Sequence, residues 1–418
     1  MRILHLNTTD NDGGAARAVY RLHKGLRMRS VSSVMFVRDK FTNDPKVFKY
    51  KKPSGVGKML LQMRQQTIRK EMQSYSISRP KNLEVFSDDR SPLRLDFTNQ
   101  LPEADIYHLH WTSGFVDLPS FFKNVKKPIV WTLHDMFPFT GGCHYNSGCE
   151  KYLSFCERCP QLGSLSVRDL AHKIWDRKKR YISEFSNRII IRADSNWLSG
   201  EAKRSGLFKG LDIDTIHYGI ETDEFKVRDK LACRKALDIP ENYRIIAFGA
   251  PGIENPRKGL VQLVEALKKL SAIRPNLFLI TFGSGNLSSV MNIPMLHMGN
   301  VSNNDILSVI YNCADVFVIP SLQEAFGQTA LEAMSCGIPV AGFNTGGIPD
   351  MVENGITGFL ADTGDVSGLA NSIDRILALN DLEYLNMSRN CRAKVIDNFT
   401  LVQQADKYLD VYKNLMGN

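Results

Sequence analysis

Ile319-Pro-Ser-Leu-Gln-Glu324-Ala-Phe-Gly-Gln-Thr-Ala-Leu-Glu332-Ala-Met-Ser-Cys-Gly337 carries the reading of the fold. The run Val316–Ile319 is β-branched or aromatic, Pro320 ends it, and a polar loop follows. The spacing then predicts a helix from near Phe326 to Gly337. A second short apolar run, Pro339–Gly342, comes next, completing a strand–helix–strand unit. The alternation extends outward through the chain. Further strand candidates are Ile3–Asn7, Val31–Val37, Ile106–His110, Pro128–Leu133, Arg188–Ala193, Arg244–Phe248 and Leu277–Phe282. Each is nearly continuously apolar, as parallel strands buried on both faces are. Between them apolar residues recur at helical spacing, as in Leu260, Leu263, Val264, Leu267 and Leu270. The predicted class is α/β with doubly wound parallel sheets.

A chain of 418 residues suits two such sheets better than one. The apolar pattern lapses over His217–Phe225, so domains are expected at 1–217 and 218–395. Residues 396–418 are expected to form a helix crossing back to the first domain. Composition is ordinary for a globular protein, with 43% hydrophobic and 23% charged residues. No stretch has the roughly 18–20 apolar residues of a membrane span. Met1-Arg-Ile-Leu-His-Leu-Asn7 reads as a first strand rather than a signal peptide, so a cytoplasmic location is expected. The net charge of +9 favours anionic partners, and no nucleic-acid-reading motif is present. Between Lys51 and Lys70 lie Lys52, Lys58, Arg64 and Arg69 without an acid, and Val56, Met59, Leu60 and Met63 recur at helical spacing. That is either a helix for an anionic membrane surface or a helix whose stripe packs on its own domain.

Chemistry gathers at the strand ends between 249 and 358. The expected helix N-terminus, Phe326, Gly327, Gln328 and Thr329, offers amides and a partial positive charge to a phosphate. Glu324 and Glu332 flank it, about 12 Å apart if the segment is wholly helical. That spacing suits an elongated ligand better than a glycosidase carboxylate pair. Alternatively, Glu324 caps the helix and Glu332 is a solvated charge. Arg257 and Lys258 bring two cations to the same sheet edge, and glycine turns recur at Gly283-Ser-Gly285, Gly346-Gly347 and Gly355–Gly358.

The run from Pro320 to Val340, with Gly346-Gly-Ile-Pro and Asn354-Gly-Ile-Thr-Gly-Phe-Leu360, resembles the retaining glycosyltransferases of family 4. The resemblance is dense over about 240–365. It implies the GT-B architecture, two facing Rossmann-like domains with the active site in the cleft. It further implies transfer of a sugar from a nucleotide-diphosphate sugar to a glycan or lipid-linked acceptor, without a catalytic divalent metal. Use in capsule, exopolysaccharide or lipopolysaccharide assembly, at the inner face of the cytoplasmic membrane, is also implied. Glu324 would face the transferred sugar, Glu332 the ribose, and Lys258 the diphosphate, with backbone amides of Phe326 and Gly327. The family often has an Arg where this chain has Ala250, and Arg257 is the candidate substitute. Gly13 and Gly14 match the family's donor-facing glycine loop; from spacing alone they are as readily a tight turn. His134, after Trp131-Thr-Leu, resembles the family's cleft histidine and would contact the transferred sugar. Catalysis is expected as a same-face displacement. The alternatives are an epimerase or phosphorylase on the same scaffold, or a non-catalytic nucleotide-sugar binder.

Two motifs stand apart. Asp212-Ile-Asp214 has a metal-binding spacing used by other glycosyltransferases, but reads here as loop or edge-strand charge. Cys143, Cys149, Cys156 and Cys159 fall within a Cys-rich insertion at 141–163. Their Cys-x5-Cys-x6-Cys-x2-Cys array suits a structural zinc ion. Two disulfides or four unligated thiols are the rivals.

Overall fold

The computed structural model describes residues 1–81, 83–93, 100–285 and 293–417. The chain divides into two compact units, Met1–His217 with Gln404–Asn418, and Tyr218–Gln403.

The first unit holds a seven-stranded sheet of order β3-β2-β1-β4-β5-β6-β7. Its strands are β1 Arg2–Thr9, β2 Ser32–Asp39, β3 Val47–Lys49, β4 Ile106–Leu109, β5 Ile129–Leu133, β6 Ile189–Ala193 and β7 Asp212–Thr215. Every pairing is parallel. The last helix, Leu401–Met416, closes this unit: Tyr408 and Tyr412 are buried with Ile3, Leu22, Leu26, Ile106 and Val130. Each such apolar burial contributes about 1.5–3 kcal/mol. The Tyr408 and Tyr412 hydroxyls are also satisfied, at 2.6 Å from Thr132 Oγ1 and His108 Nδ1.

The second unit holds a six-stranded sheet of order β10-β9-β8-β11-β12-β13, again wholly parallel. Its strands are β8 Arg244–Gly252, β9 Leu277–Ser284, β10 Met295–His297, β11 Val316–Ile319, β12 Val340–Phe343 and β13 Gly358–Ala361. Leu263, Leu267 and Leu270 pack with Phe248, Leu279, Val318 and Ala341 in its core.

Four strands escape the sequence reading: β3, β7, β10 and β13. All four are sheet edges. Two further corrections bear on the site. Gly283 is not in a turn after a strand but inside β9, and its amide donates to the Gly299 carbonyl at 2.7 Å. The helix expected from Phe326 runs only over Gln328–Ser335. Gly327 precedes it at φ 103, a left-handed conformation that a side chain resists, so the helix cannot propagate back through that residue.

Asp212 and Asp214 lie on edge strand β7, where Asp212 pairs with Arg192 at 3.1 Å. The basic segment is a helix, Gly55–Gln73, with no buried residue. Its stripe does not pack on its own domain: Val56 is 70% exposed, Met59 54% and Met63 58%.

Candidate active site

In the second unit the loop from Pro320 to Gly327 is gripped from both sides. On one side, Leu322 donates its amide to the Arg257 carbonyl at 2.8 Å. Gly259 abuts Pro320 so closely that a Cβ there would lie 1.7 Å from the Pro320 oxygen. On the other side, the Gly347 amide donates to the Glu324 carbonyl at 3.0 Å, and a Cβ on Gly346 would lie 1.8 Å from that oxygen. The glycines at 259 and 346 thus let neighbouring backbones hold the loop, rather than cradle a ligand themselves.

The loop presents Glu324 to two cations. Lys258 Nζ donates to Glu324 Oε2 at 2.6 Å, Ser321 Oγ donates to the same oxygen at 3.2 Å, and Arg257 Nη1 lies 3.7 Å away. Arg257 is steadied by a 2.7 Å bond from Nη1 to the Gln323 carbonyl. Burial alone would raise the Glu324 carboxyl, but Lys258 and then Arg257 outweigh it and hold the group below its ordinary value. Beside this triad the helix opens at Gln328 and Thr329, its positive end. Phe326 itself is buried, its ring against Tyr218 and Phe399.

Glu332 is not a solvated charge. It is 3% exposed and accepts a 2.7 Å bond from the Tyr311 hydroxyl. Nor does the 12 Å axial estimate for the two glutamates hold, because residues 324–327 are not helical. Ala250 is buried within β8, and the Arg257–Lys258 pair supplies the cations present around Glu324.

In the first unit, Gly13 at φ 90 precedes the helix Gly14–Met28, and a Cβ there would meet no atom within 4 Å. His134 follows β5, and burial draws its imidazole down to about 4. Next to it, Asp135 accepts from His144 Nδ1 at 2.7 Å, Trp111 Nε1 at 2.9 Å and the Phe137 amide at 2.9 Å. Sequence reading missed these partners, and also His5, His108 and His110, which the parallel register brings beside one another. The signal available was His108-x-His110, two imidazoles on one face of a strand.

The four clustered cysteines line one small, partly open pocket with Phe86, Tyr152 and Gln161. All four are unpaired thiols. The Gly141 amide donates to Cys156 Sγ at 3.2 Å, and the amides of Leu162 and Gln161 approach Cys159. Among the described residues, the group of three potential ligands whose atoms lie within 4.8 Å of one another is His5, His108 and His110, not a cysteine trio.

Two wholly parallel Rossmann-like units define a GT-B protein, with a two-cation, one-carboxylate site on the second unit. Residues 229–394 match the family model described as Glycosyl transferases group 1. D-inositol 3-phosphate glycosyltransferase of Mycobacterium tuberculosis (strain ATCC 25618 / H37Rv) is 29% identical over 252 residues, covering 57% of this chain and 51% of that protein. The chain thus spans about half the length of the curated relatives it matches. Three solved structures share the fold across the chain. Sucrose-phosphate synthase from Thermosynechococcus elongatus has a TM-score of 0.69 at 19% identity, covering all of both chains. Anabaena HepE in complex with UDP-glucose has a TM-score of 0.66 at 19% identity, covering 99% of this chain and 100% of that one. WaaG, a glycosyltransferase involved in lipopolysaccharide biosynthesis, has a TM-score of 0.59 at 14% identity, covering 98% and 99%.

Proposed function

We propose that this protein is a retaining glycosyltransferase that moves a sugar from a nucleotide-diphosphate sugar to a glycan or lipid-linked acceptor hydroxyl. The observation that carries the reading is the convergence of Lys258 and Arg257 on Glu324 beside the open end of the helix Gln328–Ser335. Cations and helix amides together stabilise a departing diphosphate as its charge develops, with no metal required for that role. When donor binds, Lys258 and Arg257 hold the diphosphate, and Gly13 and Gly14 add amides. Glu324 faces the sugar, Glu332 the ribose, and His134 the sugar hydroxyls. The acceptor attacks from the face the diphosphate leaves. The first unit takes the acceptor and the second the donor. HepE was crystallised with UDP and with UDP-glucose, which makes UDP-glucose the first donor to test. In an assay with and without acceptor glycans, acceptor-dependent UDP release with retained anomeric configuration is the expected result. Epimerised donor, or donor binding without turnover, would overturn the reading.

The exposed helix Gly55–Gln73 supports a second element of this function, peripheral contact with an anionic membrane that carries the acceptor. Arg64 is committed to Asp117 at 2.7 Å and to the Ser91 carbonyl, which leaves Lys51, Lys52, Lys58, Arg69 and Lys70 for lipid. Each contributes about 1 kcal/mol near an anionic surface. Among the described residues no helix is long and apolar enough to cross a membrane. The protein should co-sediment with phosphatidylglycerol vesicles at low salt and be released as salt rises. Absence of binding at low salt would end this part of the proposal.

We propose that Cys143, Cys149, Cys156 and Cys159, which line one pocket, close on a structural zinc ion. A zinc there would supply a cross-link for the 141–163 loop and no chemistry to the transfer.

A further inference from the structure

Five buried groups of the first unit form one unbroken hydrogen-bonded chain. His23 Nδ1 lies 2.7 Å from Ser33 Oγ, which lies 3.1 Å from His5 Nε2. His5 Nδ1 lies 2.9 Å from His110 Nε2, and His110 Nδ1 lies 3.1 Å from His134 Nε2. At the far end His23 Nε2 faces Asp44 Oδ2 at 3.6 Å. His108 stays outside the chain, because its nitrogens go to Tyr412 and Thr132, although its ring sits 4.0 Å from that of His110. Each nitrogen of His5, His108 and His110 has a protein partner, so the group is a hydrogen-bond array rather than a metal site.

Burial keeps His5 and His110 well below their ordinary values, and brings His23 and His134 down to about 4. Near neutral pH each imidazole therefore carries one proton, on one nitrogen. A neutral imidazole that donates at one nitrogen must accept at the other, and the Ser33 hydroxyl donates once. Ser33 cannot satisfy two bare nitrogens, so once His23 places its N–H toward Asp44 the whole chain points that way, whereas a His23 proton on Nδ1 permits the opposite direction.

The two directions differ at Asp44. Pointing toward His134 leaves a bare lone pair on His23 Nε2 facing the carboxylate. Pointing toward Asp44 places an N–H there instead, which the charge attracts. Asp44 stays ionised: burial opposes this, but the Lys46 amide, His23 and Arg27 together hold its carboxyl below the ordinary value. We infer that Asp44 is a positioning residue that sets the tautomer of His134 through His23, Ser33, His5 and His110, with the proton on Nε2 and Nδ1 accepting. The tautomer rests on the chain and on Asp44, and its effect on turnover rests on the proposed role of His134 at the sugar.

Long-range 1H–15N spectra of the full chain, labelled at histidine, read this directly. Wild-type His134 should show the Nε2–H pattern. Asp44→Ala should lose that single pattern in favour of a mixture, and Ser33→Ala, which cuts the chain without touching Asp44, should do the same. Asp44→Asn keeps an acceptor for Arg27 and the Lys46 amide, and serves as the folded control should Asp44→Ala not fold. His134 holding the wild-type pattern in Asp44→Asn and Ser33→Ala would overturn the inference, as would an Nδ1–H pattern in the wild type. Acceptor-dependent UDP release from the same variants separates the two readings. A moved tautomer with unchanged turnover retains the relay and removes His134 from the sugar site, whereas an unmoved tautomer removes the relay and leaves the transferase reading intact.

Discussion

Lys258→Ala should lower kcat/KM by about 30- to 1,000-fold, or ~2–4 kcal/mol of transition-state stabilisation, the scale of losing one donor to a developing oxyanion. Arg257, 3.7 Å from Glu324 in the wild type, is retained in this variant, so the loss should be partial. Glu324→Gln should lower turnover more than donor affinity. Glu332→Ala should act mainly on donor Kd, because ribose contacts are the same in ground and transition states. Steady-state kinetics and donor titrations with UDP-glucose separate the three, and near-normal values in all of them would remove the site assignment. A pH profile adds a further reading. Lys258 is the largest influence opposing the effect of burial on Glu324, so its loss should raise the Glu324 carboxyl. The acid limb of the rate profile should then move to higher pH in Lys258→Ala. The sign for stability follows from the same shift. With its folded value depressed, Glu324 stabilises the fold above the unfolded carboxylate range and loses that contribution as pH falls through the folded value. Melting temperatures should therefore fall on acidification, and less steeply in Lys258→Ala.

Protein purified without chelator or affinity metal should carry about one zinc per chain, and removing it should lower the melting temperature. The physical case is convergence: the four cysteines of an array 17 residues long line one cavity, and backbone amides are directed at two of the sulfurs. Such N–H donors offset part of the burial that raises both thiols, and orient the sulfurs toward a metal. Tetrahedral zinc at about 2.3 Å from each sulfur requires a tighter cluster than the present one, so binding should draw the loop inward. Cys156→Ser and Cys159→Ser, which break the two-residue knuckle, should each lose the metal. Metal analysis, with thiol titration in native and unfolded protein, decides the matter. No zinc with four native thiols titratable would end the proposal, and two disulfides on non-reducing mass analysis would replace it. Either outcome leaves the transferase reading untouched.

The central strands were legible because they are apolar on both faces. Val316–Ile319 and the segments around Ile106, Ile129 and Ile189 lie inside their sheets, where burial leaves no room for polar alternation. The edge strands were hardly legible: Asp212–Thr215 reads Asp-Ile-Asp-Thr, as much loop as edge strand, because its outer side faces no strand and its composition answers to solvent. The candidate site was visible as residue types in order, since Lys258, Glu324 and Glu332 lie on short local segments. What each touches was not visible. Sequence left Glu332 open between a ribose contact and a solvated charge, and its burial against Tyr311, on another helix, removes the second.

Strand–helix alternation, the two-domain length and the Glu-x7-Glu segment were determined by local sequence alone, because they depend on periodicity and turn chemistry over a few residues. Tertiary structure alone decided which glycines serve backbone packing, that Gly283 lies within a strand, and that the stripe of the basic helix is exposed. It also decided that His5, His23, His110 and His134, far apart in the chain, share one line of protons. Parallel register sets such neighbours through hydrogen bonds between strands distant in sequence, and no local pattern records which residues those bonds bring together.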